Sequence, residues 1–140
     1  MQTEKLHRLK LVLIGDSGVG KTSIIQKMIF NLFIVNTNST IGAAFQTFNI
    51  DNKYKIDVWD TAGQERFHSL IPMYLKSANI IFLVISIDKS EEQIEQQIRF
   101  WLNFIDVNKS YMCENFKIIL LFNKIDINPD YSINKIYTED

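Results

Sequence analysis

Gly15-Asp16-Ser17-Gly18-Val19-Gly20-Lys21-Thr22 fits the spacing G-x-x-x-x-G-K-[ST], between an apolar run and a segment of helical period. A polyphosphate is held by wrapping it in backbone N–H groups, and glycines let the main chain come close. The N-terminus of the helix that follows adds a favourable dipole. Lys21 supplies a point charge to the terminal phosphates, and the Thr22 hydroxyl suits coordination of Mg²⁺. This spacing alone leaves open ATP or GTP, and kinase, ATPase or switch.

Two further groups restrict the chemistry. In "VWDTAGQERF" (58–67), Asp60 ends an apolar run and suits holding Mg²⁺ opposite Thr22. Gly63 leaves room for a backbone N–H to reach the γ-phosphate. Gln64 both donates and accepts without charge, which suits orienting a water for in-line attack. A plain turn after a strand is the alternative, weakened by the phosphate loop upstream. In "NKID", the Asp126 carboxylate can accept from guanine N1–H and the 2-amino group. Adenine would leave that carboxylate unpaired, and unmade polar contacts discriminate strongly. Asn123 can tie this loop to the phosphate loop, and the stem of Lys124 can lie along the base. The three motifs in this order favour GTP over ATP.

These side chains need a scaffold that brings them to one edge. "LKLVLIG" (9–15), "IIFLVISI" (80–87) and "FKIILLF" (116–122) read as strands, the last two buried on both faces of a parallel sheet. "FQTFNI" and "KYKIDVW" flank Asp51-Asn52 and predict a hairpin. The segment 21–33 carries Ile24, Ile25, Met28, Ile29 and Leu32 at helical spacing. The segment 90–105 opens on Ser90 and acidic residues, then sets Ile94, Ile98, Trp101, Leu102 and Ile105 on one face. The alternation predicts an α/β fold, a mostly parallel sheet with helices on both faces.

Bulk properties remove other classes. The chain has 140 residues, 46% of them hydrophobic, which suits one domain spanning 1–140 with a sizeable core. A net charge of −1 gives no basic footprint for nucleic acid. Cys113, alone, forms no internal disulfide and fits a reducing, cytoplasmic compartment. The N-terminus lacks a signal-peptide pattern, and no apolar run approaches the ~20 residues of a membrane helix. His7 and His68 stand in no metal spacing and receive no chemistry; Trp101 reads as helix-core packing.

GDSGVGKT, the Thr of STIG, WDTAGQE and NKID, in this order, resemble the Ras superfamily of small GTPases. GDSGVGKT with WDTAGQERF is similar to its Rab branch. STIGAAF (39–45) and HSLIPMYLKSA (68–78) are similar to the early-endosomal Rab subgroup, although Gly18 stands where that subgroup usually carries Ala. The resemblance runs from near Leu9 to Asp126.

The resemblance implies a P-loop NTPase fold, the Ras-like G domain. It implies GTP or GDP with Mg²⁺ held by Ser17, Gly18, Val19, Gly20, Lys21, Thr22, Ser23, Phe33, Thr40, Gly63, Asn123, Lys124 and Asp126. Thr22, Thr40 and Asp60 would serve the metal, and Gln64 catalysis. Switch I falls near 34–45 and switch II near 61–76. Phe45, Trp59 and Tyr74 match the hydrophobic triad through which Rabs meet effectors; hairpin and core packing is the alternative.

The implied activity is a timed switch in vesicle traffic. GTP orders the switches for effectors, and hydrolysis to GDP and phosphate releases them. No arginine finger in cis is evident, so a slow intrinsic rate is expected, accelerated by a GAP, with an exchange factor resetting the switch. The segment Thr40–Trp59 is shorter than the family pattern, and Asp106–Asn115 longer. After Asp126 the family's next helix, last strand, base-side loop, final helix and lipidated cysteines are not found. The expectation is therefore a G domain lacking its last strand and helix, with an exposed sheet edge and no membrane anchor in this chain. A longer lipidated form would act on the cytosolic face of endosomal membranes. The competing reading is a non-hydrolysing remnant that binds nucleotide weakly or only binds effectors. A nucleotide kinase would need a lid and a second substrate site, for which no segment is evident.

Overall fold

The computed structural model describes residues 5–30 and 43–127. Its sheet has five strands in the order β2-β3-β1-β4-β5. They are β1 (His7–Ile14), β2 (Ala43–Ile50), β3 (Tyr54–Thr61), β4 (Ile80–Ser86) and β5 (Lys117–Asn123). Only β2 runs antiparallel to its neighbour; β3, β1, β4 and β5 are mutually parallel. The chain leaves β1 for β3 on one side, then crosses to β4 on the other. That reversal is the switch point where open α/β sheets bind ligands, beyond the strands' C-terminal ends. The register brings Leu13 beside Asp60 and Phe82, and Ser86 beside Asn123. Residues far apart in sequence thus finish at one edge.

Strand parity divides the core. Val12 and Ile14 of β1 join Ile81, Leu83 and Ile85 of β4 under α3 (Glu91–Asn108). Leu11 and Leu13 join Val58 and Val84 under α1 (Lys21–Phe30). Successive side chains on a strand point to opposite faces, so a continuous apolar run serves both layers. β4 behaves this way. β5 does not: Ile118 and Ile119 are 37% and 43% exposed. Its sequence reads as a two-face buried strand, but among the described residues it is paired only with β4.

The expected hairpin forms between β2 and β3. Asp51 and Asn52 take φ of 52° and 55°, the left-handed pair that matches the twist of a tight hairpin and that Asp and Asn tolerate. The Lys53 amide closes the turn on the Ile50 carbonyl at 3.0 Å.

The helix starting signal at Ser90 is a full capping box. Ser90 Oγ accepts from the Gln93 amide and Gln93 Oε1 accepts from the Ser90 amide, both at 3.2 Å. α3 buries Ile94, Ile98, Trp101 and Ile105, as its spacing predicts. Leu102, assigned to the same stripe, is exposed, and Gln97 is buried instead. A 3.6-residue period places 97 and 102 on opposite borders of the stripe through 94, 98, 101 and 105, so what faces each border decides which is covered. α1 likewise buries Ile25 but leaves Met28 42% exposed. A one-turn helix, α2 (Ile71–Leu75), and a 3-10 segment, Glu65–Leu70, follow β3 and carry the chain back across to β4.

Candidate nucleotide-binding site

β1 ends at Ile14, and the loop 15–20 turns the chain into α1. Gly20 has φ of 100°, and a Cβ there would fall on the Asn123 carboxamide. Lys21, the first residue of α1, is 6% exposed. Its ammonium donates to the carbonyls of Gly15 at 2.9 Å and Asp16 at 2.8 Å. Burial lowers its pKa to about 8, opposed by attraction to Asp60 and Asp16.

Thr22 Oγ1 donates to Asp60 Oδ2 at 2.5 Å. Asp60, next to last in β3, is 2% exposed, and its Oδ1 is buried with no hydrogen-bond partner. Burial raises the Asp60 pKa; the Thr22 hydrogen bond and the nearby Lys21 ammonium oppose the rise. A buried carboxylate oxygen without a partner, beside a hydroxyl, fits a hard divalent cation such as Mg²⁺. That ion binds through one or two protein oxygens and completes its shell with waters and phosphate. Among the described residues no three His, Cys, Asp or Glu side chains cluster, so this pair is a partial donor set of that kind.

Gly63 lies directly on the Asp16–Ser17 peptide, where a Cβ would collide with backbone. Gln64 follows, with its Oε1 accepting from Arg66 Nε at 2.8 Å. Its carboxamide is thus held by a side chain of its own segment.

At the other end of the edge, Asn123 closes β5. Its Nδ2 donates to the Val19 carbonyl at 2.8 Å, as the sequence suggested. Lys124 takes a positive φ of 64° and donates to the Gly18 carbonyl at 2.7 Å. The same ammonium pairs with Asp88 at 3.3 Å, and Asp88 also accepts from the Ser86 hydroxyl. The Ser86 hydrogen bond lowers the Asp88 pKa; burial opposes it, and the hydrogen bond and charge of Lys124 add to the lowering. Two side chains of NKID therefore clamp the phosphate loop. Asp126 stands exposed in the turn beyond them. Phe33 and Thr40 lie outside the described residues.

Phe45, Trp59 and Tyr74 come together on the surface of β2, β3 and α2. Ring centroids lie 4.7 Å apart for the first pair and 5.4 Å for the second. Trp59 and Tyr74 rest on the core under α3, and Phe45 is exposed. Packing therefore accounts for Trp59 and Tyr74, while Phe45 is left facing outward.

Two residues of the site carry no motif. Trp101 packs in the core as expected, and its indole N–H also donates to Asp16 Oδ1 in the phosphate loop at 2.8 Å. His68 contacts the Gly63 carbonyl through Nε2 at 2.9 Å. A carbonyl only accepts, so Nε2 carries the proton. The available signal was an acidic side chain, Asp16, inside a loop otherwise built to hold anions. Such a group calls for a donor from elsewhere.

A glycine-rich turn into a helix, a threonine bonded to a buried aspartate and a clamped loop after β5, at the switch point of this sheet, define a Ras-like GTPase domain. Residues 10–126 match the family described as Ras of Complex, Roc, domain of DAPkinase, and the chain belongs to this Ras-like family. It is 38% identical over 126 residues to a probable Rab-related GTPase of Acanthamoeba polyphaga mimivirus, covering 86% of this chain and 56% of that protein. Ras-related protein Rab-5A of Dictyostelium discoideum is 38% identical over 126 residues, 88% of this chain and 60% of the relative. GTP-binding protein YPT52 of Saccharomyces cerevisiae is 38% identical over 131 residues, 86% and 54% respectively. The chain spans about half the length of the curated relatives it matches.

Proposed function

We propose that this chain is the nucleotide-binding domain of a Rab-like GTPase, a GTP/GDP switch that hydrolyses GTP and regulates vesicle traffic. One observation carries the reading. Asn123 and Lys124 bond the Val19 and Gly18 carbonyls, so the loop bearing Asp126 is fastened to the loop that cradles phosphate. Base and phosphates would thereby be read by two loops tied to each other.

The lysine ammonium exchanges the Gly15 and Asp16 carbonyls for β- and γ-phosphate oxygens. That exchange offsets the cost of burying its charge. Thr22 and Asp60, with Thr40 of switch I, would hold Mg²⁺, which would neutralise charge on the phosphates. Gln64 leaves Arg66 and orients a water. The water oxygen bonds to the γ-phosphorus, the bond to the bridging oxygen breaks, and GDP and phosphate result. Asp126 accepts from guanine and is desolvated by the base it reads. The accelerating arginine would be supplied by a partner GAP. Effectors meet Phe45, Trp59 and Tyr74. Among the described residues no helix is long and apolar enough to cross a membrane. Residence on the cytosolic face of endosomal membranes would rest on lipidation of the protein.

The test is a fluorescence titration of the chain with labelled GDP and ADP in Mg²⁺. A preference for guanine of at least about a hundredfold is expected, since an unpaired Asp126 rejects adenine. Equal binding of both sinks the assignment. Gln64→Leu should slow single-turnover hydrolysis at least about tenfold while GTP binding persists; an unchanged rate removes Gln64 from the mechanism. The exposed Asp126 and β5 edge favour the second reading, a weakly binding effector module. The same titration decides it: no measurable guanine binding, with effector capture intact, supports that module.

A further inference from the structure

Four groups close a circuit around the phosphate loop. The Asp16 main-chain carbonyl holds the Lys21 ammonium, and the Asp16 carboxylate takes the indole N–H of Trp101. His68 stands edge-on to Trp101, with ring centroids 4.9 Å apart and planes at 71°. Its Nε2–H donates to the Gly63 carbonyl. Gly63 in turn lies on the Asp16–Ser17 peptide where the circuit began. The rings of Phe100 and Phe104 flank His68 at 5.6 and 6.3 Å and fix its plane. A pocket of about 510 Å³ opens beside these contacts, bounded by Asp16, Gly63, His68 and, on α3, Gln93, Gln97 and Phe100.

We infer that Trp101 and His68 are positioning residues that couple Gly63 and the segment after it to the peptide holding Lys21, with α3 as the rigid arm between them. The inference deepens the proposed switch and rests on that reading for its consequence, though not for its geometry. Packing alone would bury Trp101 and leave its N–H to any nearby acceptor. Here the acceptor is a loop residue 85 positions away in the sequence, and the same indole supports the only imidazole among the described residues that touches the loop's neighbour Gly63. Neither end of the circuit can shift alone: moving the Asp16 peptide strips the indole N–H, and moving Gly63 strips the imidazole. When Lys21 turns to phosphate, the Asp16 carbonyl loses its ammonium. The circuit then passes that change to the segment carrying Gln64. Coupling of this kind is established by non-additivity between groups that do not touch.

Asp16 and His68 are therefore varied together, in the full chain carrying Trp59→Phe so that one indole remains. The structural readout is the Trp101 indole N–H resonance and its solvent exchange in nucleotide-free protein. The functional readout is the GDP dissociation rate. Asp16→Ala should speed indole exchange and raise GDP release about tenfold, the loss of one hydrogen bond to a charged group. Asp16→Asn keeps an acceptor at the same atom and should restore both. His68→Phe keeps the ring and removes the donor; it should also speed indole exchange, at unchanged melting temperature. The double variant Asp16→Ala/His68→Phe should release GDP no faster than the worse single variant. Additive effects, or indole exchange indifferent to His68→Phe, overturn the inference. If the chain binds no guanine nucleotide, the proposed function fails and the indole exchange alone decides the coupling.

Discussion

The two ends of the site are built differently. The phosphate end sits over the centre of the sheet: Lys21 and Asp60 are buried, the Thr22 hydroxyl is engaged, and α3 braces the loop through Trp101. The base end hangs from β5, the outermost described strand. It is held by Asn123 and Lys124, while Ile125, Asp126 and Ile127 are exposed. One end stores electrostatic tension; the other is lightly tethered. Two desolvated groups, an ammonium with a lowered pKa and a carboxylate with a raised one, are unfavourable as they stand; under the proposed function, phosphate and a cation would relieve them. The comparison implies that binding energy is generated at the phosphate end and specificity at the base end.

The largest test removes the stored charge. Lys21→Met should weaken nucleotide binding about a hundredfold, from two charge-assisted hydrogen bonds. It should at the same time raise the melting temperature of the nucleotide-free chain, because a buried ammonium is replaced by an apolar side chain. Calorimetric scanning with and without nucleotide measures both; a fall in both would mean that Lys21 is chiefly structural.

Next comes the tether. Asn123→Ala removes the bond to Val19 and should speed nucleotide release about tenfold. Asp126→Ala should leave the melting temperature unchanged, since the side chain is exposed, yet abolish the preference for guanine. If Asp126→Ala weakened GDP and ADP equally, the base end would not be the specificity end.

The pH dependence is smaller and has a definite sign. Lys21 titrates at about 8 in the fold against an ordinary 10.5. Between these values the unfolded chain binds more protons than the folded one, so stability of the nucleotide-free chain rises with pH there. Below pH 8 the burial penalty is fully present. Nucleotide favours the charged form, so binding near pH 9 should take up a proton and lose several-fold in affinity. Titration calorimetry in buffers of different ionisation enthalpy reads the uptake; none at pH 9 would place the Lys21 pKa higher. The smallest effect belongs to the sheet edge. Ile119→Lys should change stability by less than about 0.5 kcal/mol, as expected of an exposed position. It should also suppress concentration-dependent association, if the exposed β5 pairs between molecules.

The elements were legible because their signals are local. Ser90 with Gln93 announces the start of α3, Asp51-Asn52 the hairpin, and Gly15 to Thr22 the phosphate loop. The clamp by Asn123 was legible as well, since it follows from a motif with its own chemistry. Periodicity was less reliable at stripe edges. Met28 and Leu102 were apolar at helical spacing but had no facing layer among the described residues, and Gln97 took a buried place because it reaches the Ser86 carbonyl. An apolar run cannot report whether a second strand or helix will cover it, so the run of β5 by itself reads as interior; its place at the sheet edge was expected only from the resemblance.

By itself, then, the sequence determined the α/β alternation, the positions of Lys21, Thr22 and Asp60, and the kind of ligand they suit. Each is set by residue type at short spacing. The tertiary structure alone decided that Trp101 serves the phosphate loop, that His68 touches Gly63, and that one end of the site is buried while the other is exposed. Those outcomes depend on which strand lies at the centre of the sheet and which at its edge, and that is fixed by packing between segments remote in the chain.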